Sequence, residues 1–164
     1  MIEVYPKIWV GDAWDYETYA SRFYDFAVVH ACKEPYHRQA VGYRGRAAPK
    51  DHPEYLVAQR DNRLMLNMID SDNPDFFSQV MIWQALKFIE EHHGNHWRVL
   101  IHCNQGESRG PSLAMLYLSA WLGVIPNESL EEAEQRFRKL YPNYHPKAGI
   151  RGHLQECWEQ YRNE

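Results

Sequence analysis

Apolar positions along the chain fall into short runs of strand character and longer stripes of helical spacing. Ile8-Trp9-Val10 ahead of Gly11-Asp12 predicts a short early strand. Residues 25–31, DFAVVHA, are rich in β-branched side chains and predict a buried strand. Residues 64–69 alternate, with Leu64, Leu66 and Met68 on one face, and stop at Asp70-Ser71-Asp72-Asn73-Pro74, which reads as a strand followed by a turn-rich loop. Residues 76–92 carry a helical stripe through Ile82, Ala85, Leu86 and Ile89, with Gly94 as the stop. Arg98–His102 is the strongest strand signal in the chain. A loop follows, then Pro111, a residue suited to the first turn of a helix. That helix runs to Gly123 and is apolar nearly all round, so it should be central. Another begins near Asn127, with Ser129 and Glu132 as a capping-box pair and Leu130, Ala133, Phe137 and Leu140 as its buried stripe. Residues 147–163 place Ile150, Leu154, Cys157 and Tyr161 on a last helix. Residues 33–63 mix Pro, Gly and charge without a sustained period, and predict long loops with at most one short element, partly covering a site. Strand–helix alternation across the middle predicts an α/β fold with a central, largely parallel sheet flanked by helices.

Length sets this as one domain spanning residues 1–164. Eighteen basic against twenty-two acidic residues leave a net charge of −4, which removes the global basic field that nucleic acid or an anionic membrane surface would require. A local anion site stays open, because a few backbone amides and one arginine can build it. Three cysteines at long separations are not a disulfide framework, and no apolar run has signal-peptide or membrane-spanning length. A reducing, cytoplasmic setting and a monomer are therefore expected. In that setting a well-placed cysteine points to chemistry.

The chemistry concentrates in residues 99–112, VLIHCNQGESRGPS. A buried strand ends at His102, Cys103 follows, and Arg109 comes six positions later at the head of a helix. Backbone amides from Asn104 through Gln105, Gly106, Glu107 and Ser108 to Arg109 can curl around one anion, with the positive end of the helix aimed at the same place. The Arg109 fork can grip two phosphate oxygens. Concentrated positive potential favours the thiolate, and a thiolate beneath a tetrahedral dianion can attack phosphorus. Gly106 sits where the backbone must turn sharply.

His102-Cys103-x5-Arg109, with Gly106 third after the cysteine, resembles the signature of the cysteine-dependent protein phosphatases. In particular it resembles the compact dual-specificity branch and its small bacterial and phage-type members, whose loop reads HCNQG-x-SR. The resemblance implies the cysteine-phosphatase fold, with Cys103 as nucleophile and Arg109 as phosphoryl ligand. It also implies hydrolysis of a phosphorylated protein or peptide through a phospho-cysteine, without a cofactor or metal. His102 would be a buried residue ordering the loop. In that family an aspartate on a loop after a strand, about thirty residues before the cysteine, protonates the leaving group. Asp70 lies 33 positions before Cys103 and Asp72 lies 31, with Asp75 beyond. Asp70 is preferred because it keeps Leu66 and Met68 inward on the strand. One departure stands out. Gly110 occupies the position where the family usually carries Ser or Thr, whose hydroxyl assists the leaving thiolate. Ser108 or Ser112 is then the candidate substitute.

A rhodanese-fold phosphatase or sulfurtransferase is the first rival, although it lacks the long two-helix tail after residue 125. A phosphate-binding module with little turnover is the second. His92, His93 and His96 suggest a solvated helix end rather than a metal site. Tyr144–Gly149 is either a loop touching the site or a plain helix connection. Trp9, Trp14, Trp83 and Trp121 are expected in the core, and Tyr36, Tyr43 and Tyr55 are candidates for a pocket wall.

Overall fold

A computed structural model describes residues 1–162. Its six-stranded sheet has the spatial order β1-β2-β6-β3-β5-β4. The strands are β1 (Ile2–Tyr5), β2 (Ile8–Gly11), β3 (Phe26–His30), β4 (Val57–Arg60), β5 (Arg63–Leu66) and β6 (Arg98–His102). β2, β6, β3 and β5 run parallel, and an antiparallel hairpin strand closes each edge: β1 on β2 and β4 on β5. β6 is therefore central, and every one of its residues after Arg98 is buried. This places His102 and Cys103 at the carboxyl end of a parallel sheet, where open α/β folds bind ligands.

One face of the sheet is covered by α3 (Gln79–Gly94), α4 (Arg109–Leu116), α5 (Leu130–Leu140) and α6 (Ala148–Arg162). Val10, Val29, Leu66 and Ile101 pack there against Ile82, Leu86, Leu113, Leu116 and Phe137. The other face is thinner. It is covered by α1 (Ala13–Thr18), a helical segment at Lys33–His37 and α2 (Arg38–Val41), with Tyr16 and Tyr36 lying over Phe26, Val28, Met65 and Leu100.

Several expectations are corrected. Residues 33–63 hold a helical segment, α2 and β4, more than the one short element expected, with the expected loop over residues 42–56. β1, α1 and β4 were not anticipated, because four to six residues with two or three apolar positions show no readable period. The strand expected over residues 64–69 ends at Leu66. The apolar helix starts at Arg109, two residues before Pro111, and widens into a π-type turn over Tyr117–Trp121. At α5 only half of the capping box forms: Ser129 Oγ accepts from the Glu132 amide at 3.1 Å. The reciprocal box occurs instead at α1, where Asp12 and Asp15 accept from each other's amides at 2.8 and 2.9 Å. Trp14 is 62% exposed and outside the core.

Candidate active site

Cys103, buried just beyond β6, lies in a cavity of about 200 Å³ with Asn104, Gln105, Glu107, Ser108, Arg109, Asp70, His145 and Lys147. Two larger clefts, about 610 and 480 Å³, run along Tyr55 and do not contain Cys103. Tyr36 packs on His30 instead, and Tyr43 on His37 and Arg38.

The loop's shape is set by where its carbonyls point. Donors outside the loop hold four of them. His102 Nδ1 donates to the Cys103 carbonyl at 3.0 Å, and the Ala13 amide to that of Asn104 at 3.3 Å. Tyr141 Oη donates to Gly106 O at 2.6 Å, and the His145 amide to Glu107 O at 2.8 Å. In a trans peptide the N–H points opposite to the C=O. The amides of Asn104, Gln105, Glu107 and Ser108 are thereby turned the other way, and none has a partner among the described residues. Gly106 has φ +70°, and a Cβ there would come within 2.9 Å of the Gly11 carbonyl. Glycine is needed on both counts.

Arg109 is 6% exposed and held by two bonds: Nη1 to Met68 O at 2.9 Å and Nη2 to Asn104 Oδ1 at 2.8 Å. Its Nε has no hydrogen-bond partner among the described residues, nor has Asp70 Oδ1, which stands 3.7 Å away. Lys147 Nζ contacts Asp70 Oδ2 at 3.1 Å. Asp70 is thus the aspartate that the structure brings to the cavity; Asp72 and Asp75 do not line it.

His102 is fully buried, with its side chain on the α1 face, away from the Cys103 thiol. Burial pushes its pKa down to about 4. Cys32 lies on that same far face, and burial pushes its thiol up to about 12. Neither proposed substitute for the missing hydroxyl reaches the thiol. Ser108 Oγ accepts from the Lys147 amide at 2.9 Å, and Ser112 Oγ bonds Tyr144 Oη at 3.0 Å. Gly110 is fixed by packing, since a Cβ there would meet the His102 carbonyl carbon at 2.8 Å.

Tyr144–Gly149 is therefore a site loop, delivering His145 and Lys147. Tyr141, Ala13 and Met68 were not foreseen as partners of the site. Their bonds join residues 35 to 91 positions apart, and nothing local in the sequence marks them. His93 bonds Tyr117 Oη and the Pro6 carbonyl, and among the described residues no cluster could hold a metal.

No family model matches the chain. Solved structures do. Human DUSP28 aligns with TM-score 0.66 at 18% identity, covering 97% of this chain and 93% of that one. The chain has the dual-specificity phosphatase fold. A human tyrosine phosphatase-like serine/threonine/tyrosine-interacting protein aligns with TM-score 0.67 at 18% identity, over 97% of this chain and 95% of that one. A mouse putative dual specificity phosphatase, complexed with zinc tungstate, aligns with TM-score 0.63 at 18% identity, over 98% and 87%. The architecture is the dual-specificity phosphatase one, with α5 and α6 as its helical tail, and the rhodanese-fold alternative falls away. No helix is long and apolar enough to cross a membrane among the described residues.

Proposed function

We propose that the protein is a cysteine-dependent phosphomonoester hydrolase acting on phosphorylated protein or peptide, tyrosine or dual-specificity in class. The observation that carries this reading is the ring of unpartnered amides around Cys103, with their carbonyls tied away and the unpaired Arg109 Nε beside them. A phosphate dianion satisfies all of these donors at once. Tungstate, the ligand named with the mouse relative, has the same tetrahedral charge pattern. The loop interior carries no lysine, which favours a single phosphate over a multiply phosphorylated lipid.

In the first step Cys103 Sγ attacks phosphorus and the bond to the leaving oxygen breaks. That oxygen takes a proton from Asp70, while Arg109 and the amides hold the three equatorial oxygens. In the second step Asp70 takes a proton from water, the hydroxide oxygen bonds phosphorus, and Cys103 leaves as thiolate. Among the described residues no side-chain hydroxyl bonds Sγ, so this second step is expected to be the slower one, with phospho-Cys103 accumulating.

Cys103→Ser tests the reading. Phosphate binding and fold should persist, while hydrolysis of p-nitrophenyl phosphate falls below a few per cent of the original rate. Turnover above that level overturns the nucleophile. Rapid mixing of the unaltered protein should give a burst of nitrophenolate. Binding without burst or steady turnover would identify a phosphate-binding module instead.

A further inference from the structure

Behind Cys103, on the thin face of the sheet, a chain of hydrogen bonds leads out of the site. Arg63 Nε donates to His30 Nε2 at 2.9 Å, and His30 Nδ1 lies 2.6 Å from His102 Nε2. His102 Nδ1 in turn meets the Cys103 carbonyl at 3.0 Å. The first donor fixes the rest. Arginine only donates, so His30 Nε2 must accept. The neutral His30 ring then carries its proton on Nδ1 and gives it to His102 Nε2. His102 is left with its own proton on Nδ1, the nitrogen that faces the carbonyl. Each link permits one tautomer of the next.

The surroundings keep both rings neutral. His30 and His102 are fully buried, and burial pushes both pKa values down. Tyr36 stacks on His30 at 4.2 Å, Tyr16 lies parallel to His102 at 5.5 Å, and the Arg63 guanidinium sits 5.3 Å over the Tyr16 ring. The main strand pairs set the geometry, because His30 pairs with His102 across β3 and β6 and with Met65 across β5.

We infer that Arg63 and His30 are positioning residues for the Cys103 loop, acting by fixing the His102 tautomer. With its proton on Nδ1, His102 holds the Cys103 carbonyl toward α1, and the Asn104 amide must then point the opposite way, with the other free amides of the loop. In the opposite tautomer a lone pair would face that carbonyl. The bond would become a repulsion and the Cys103–Asn104 peptide would turn. The role rests on the assignment of Cys103 as nucleophile, but the arrangement itself can be measured without turnover.

Three variants test it, read by nitrogen-15 spectra, alkylation and turnover. Arg63→Met keeps the side-chain stem over Tyr16 and removes the donor. His30→Leu removes both imidazole nitrogens, while His30→Asn places an amide N–H where Nδ1 stood and restores donation to His102. Nitrogen-15 spectra of histidine-labelled protein should show His30 and His102 both protonated on Nδ1, with His102 gaining the other tautomer in His30→Leu. Carboxymethylation of Cys103 by iodoacetate, and its protection by inorganic phosphate, should weaken roughly tenfold in His30→Leu and less in Arg63→Met. His30→Asn should recover most of the loss, and kcat on p-nitrophenyl phosphate should follow the same order.

A His102 protonated on Nε2 in the unaltered protein would overturn the inference. So would Arg63→Met and His30→Leu proteins that are folded yet unchanged in alkylation and kcat. If His30→Leu does not fold, the spectra of the unaltered protein and Arg63→Met still decide. If the unaltered protein has no turnover, the phosphatase reading fails, while tautomer and alkylation continue to test the relay.

Discussion

The two halves of the candidate site are held in opposite ways. The Cys103–Arg109 loop buries Cys103, Gly106, Ser108 and Arg109, and it is pinned by hydrogen bonds from four separate parts of the fold: His102, Ala13, Tyr141 and His145. The Ile69–Asp75 segment is exposed or half-buried, and the Asp70 carboxylate, the proposed acid, is held by charges alone, Arg109 at 3.7 Å and Lys147 at 3.1 Å. Hydrogen bonds in a dry environment specify direction as well as distance, and leaving one unmade is costly. An ion pair with a half-exposed partner such as Lys147 is weak and tolerant of movement. The proposed anion cradle is therefore preset, whereas the proposed proton donor is held more loosely. Among the described residues one hydrogen bond joins the halves, from Arg109 Nη1 to the Met68 carbonyl at 2.9 Å, and that carbonyl also accepts from the Lys33 amide at 2.9 Å.

The largest effect should come from the looser half. Asp70→Asn is expected to cut kcat by roughly 10²–10⁴ on substrates with poor leaving groups, the usual worth of general acid catalysis. The loss should shrink for p-nitrophenyl phosphate, whose leaving group departs with less protonation. Asp72→Asn is the control. If it shows the large, leaving-group-dependent loss and Asp70→Asn does not, the assignment passes to Asp72.

Acid should act on the preset half. His102 titrates at about 4 in the folded protein against an ordinary 6.5, so below pH 6.5 the unfolded chain binds a proton that the folded one does not. Stability is complete above pH 6.5 and falls as the pH drops toward 4. From pH 7 to 5 this amounts to about 2 kcal/mol from His102, with His30 acting in the same direction. Urea unfolding at the two pH values measures it. A His102→Gln variant should flatten the slope, and an unchanged slope would remove the neutral-histidine account of the loop's support.

Next in size is Gly110→Ser. Restoring the hydroxyl would be expected to speed the second step, but its Cβ would press on the β6 backbone at 2.8 Å, and no flexible side chain can yield. Overpacking of this kind costs about 1–3 kcal/mol. The variant should melt lower and show no gain in kcat. A faster, equally stable enzyme would show that α4 can move off β6.

Tyr141→Phe removes one donor from the cradle and leaves the Gly106 carbonyl buried without it. A loss of about 1–3 kcal/mol, shared between stability and phosphate affinity, is expected from thermal melts and phosphate titration. The smallest effect belongs to Lys147→Met. Its ammonium is half exposed, so the pair with Asp70 should be worth about 1 kcal/mol or less. A change in kcat above tenfold would mean that Lys147 contacts the substrate.

Much of this molecule is legible along the chain. The core strands β3, β5 and β6 and the helices α3 to α6 show their periods because each buries a face long enough to repeat. The Cys103-x5-Arg109 spacing after a buried strand places thiol and guanidinium at one cavity, since a strand end, a tight loop and a helix start are local structures with local signatures. Asp70 could be narrowed from three aspartates by the alternation of Leu66 and Met68, and it is the one found in the cavity.

What the chain could not disclose lies between elements. The donors that turn the loop's carbonyls outward come from α1, the end of α5 and the approach to α6. Arg63 reaches His30 only because β5 is laid beside β3. Gly110 looks like a missing hydroxyl in one dimension and proves to be the contact surface between α4 and β6 in three. Periodicity reports which face of an element is buried. Which groups meet across that burial depends on strand order and helix placement, and these are decided only when the whole sheet is assembled.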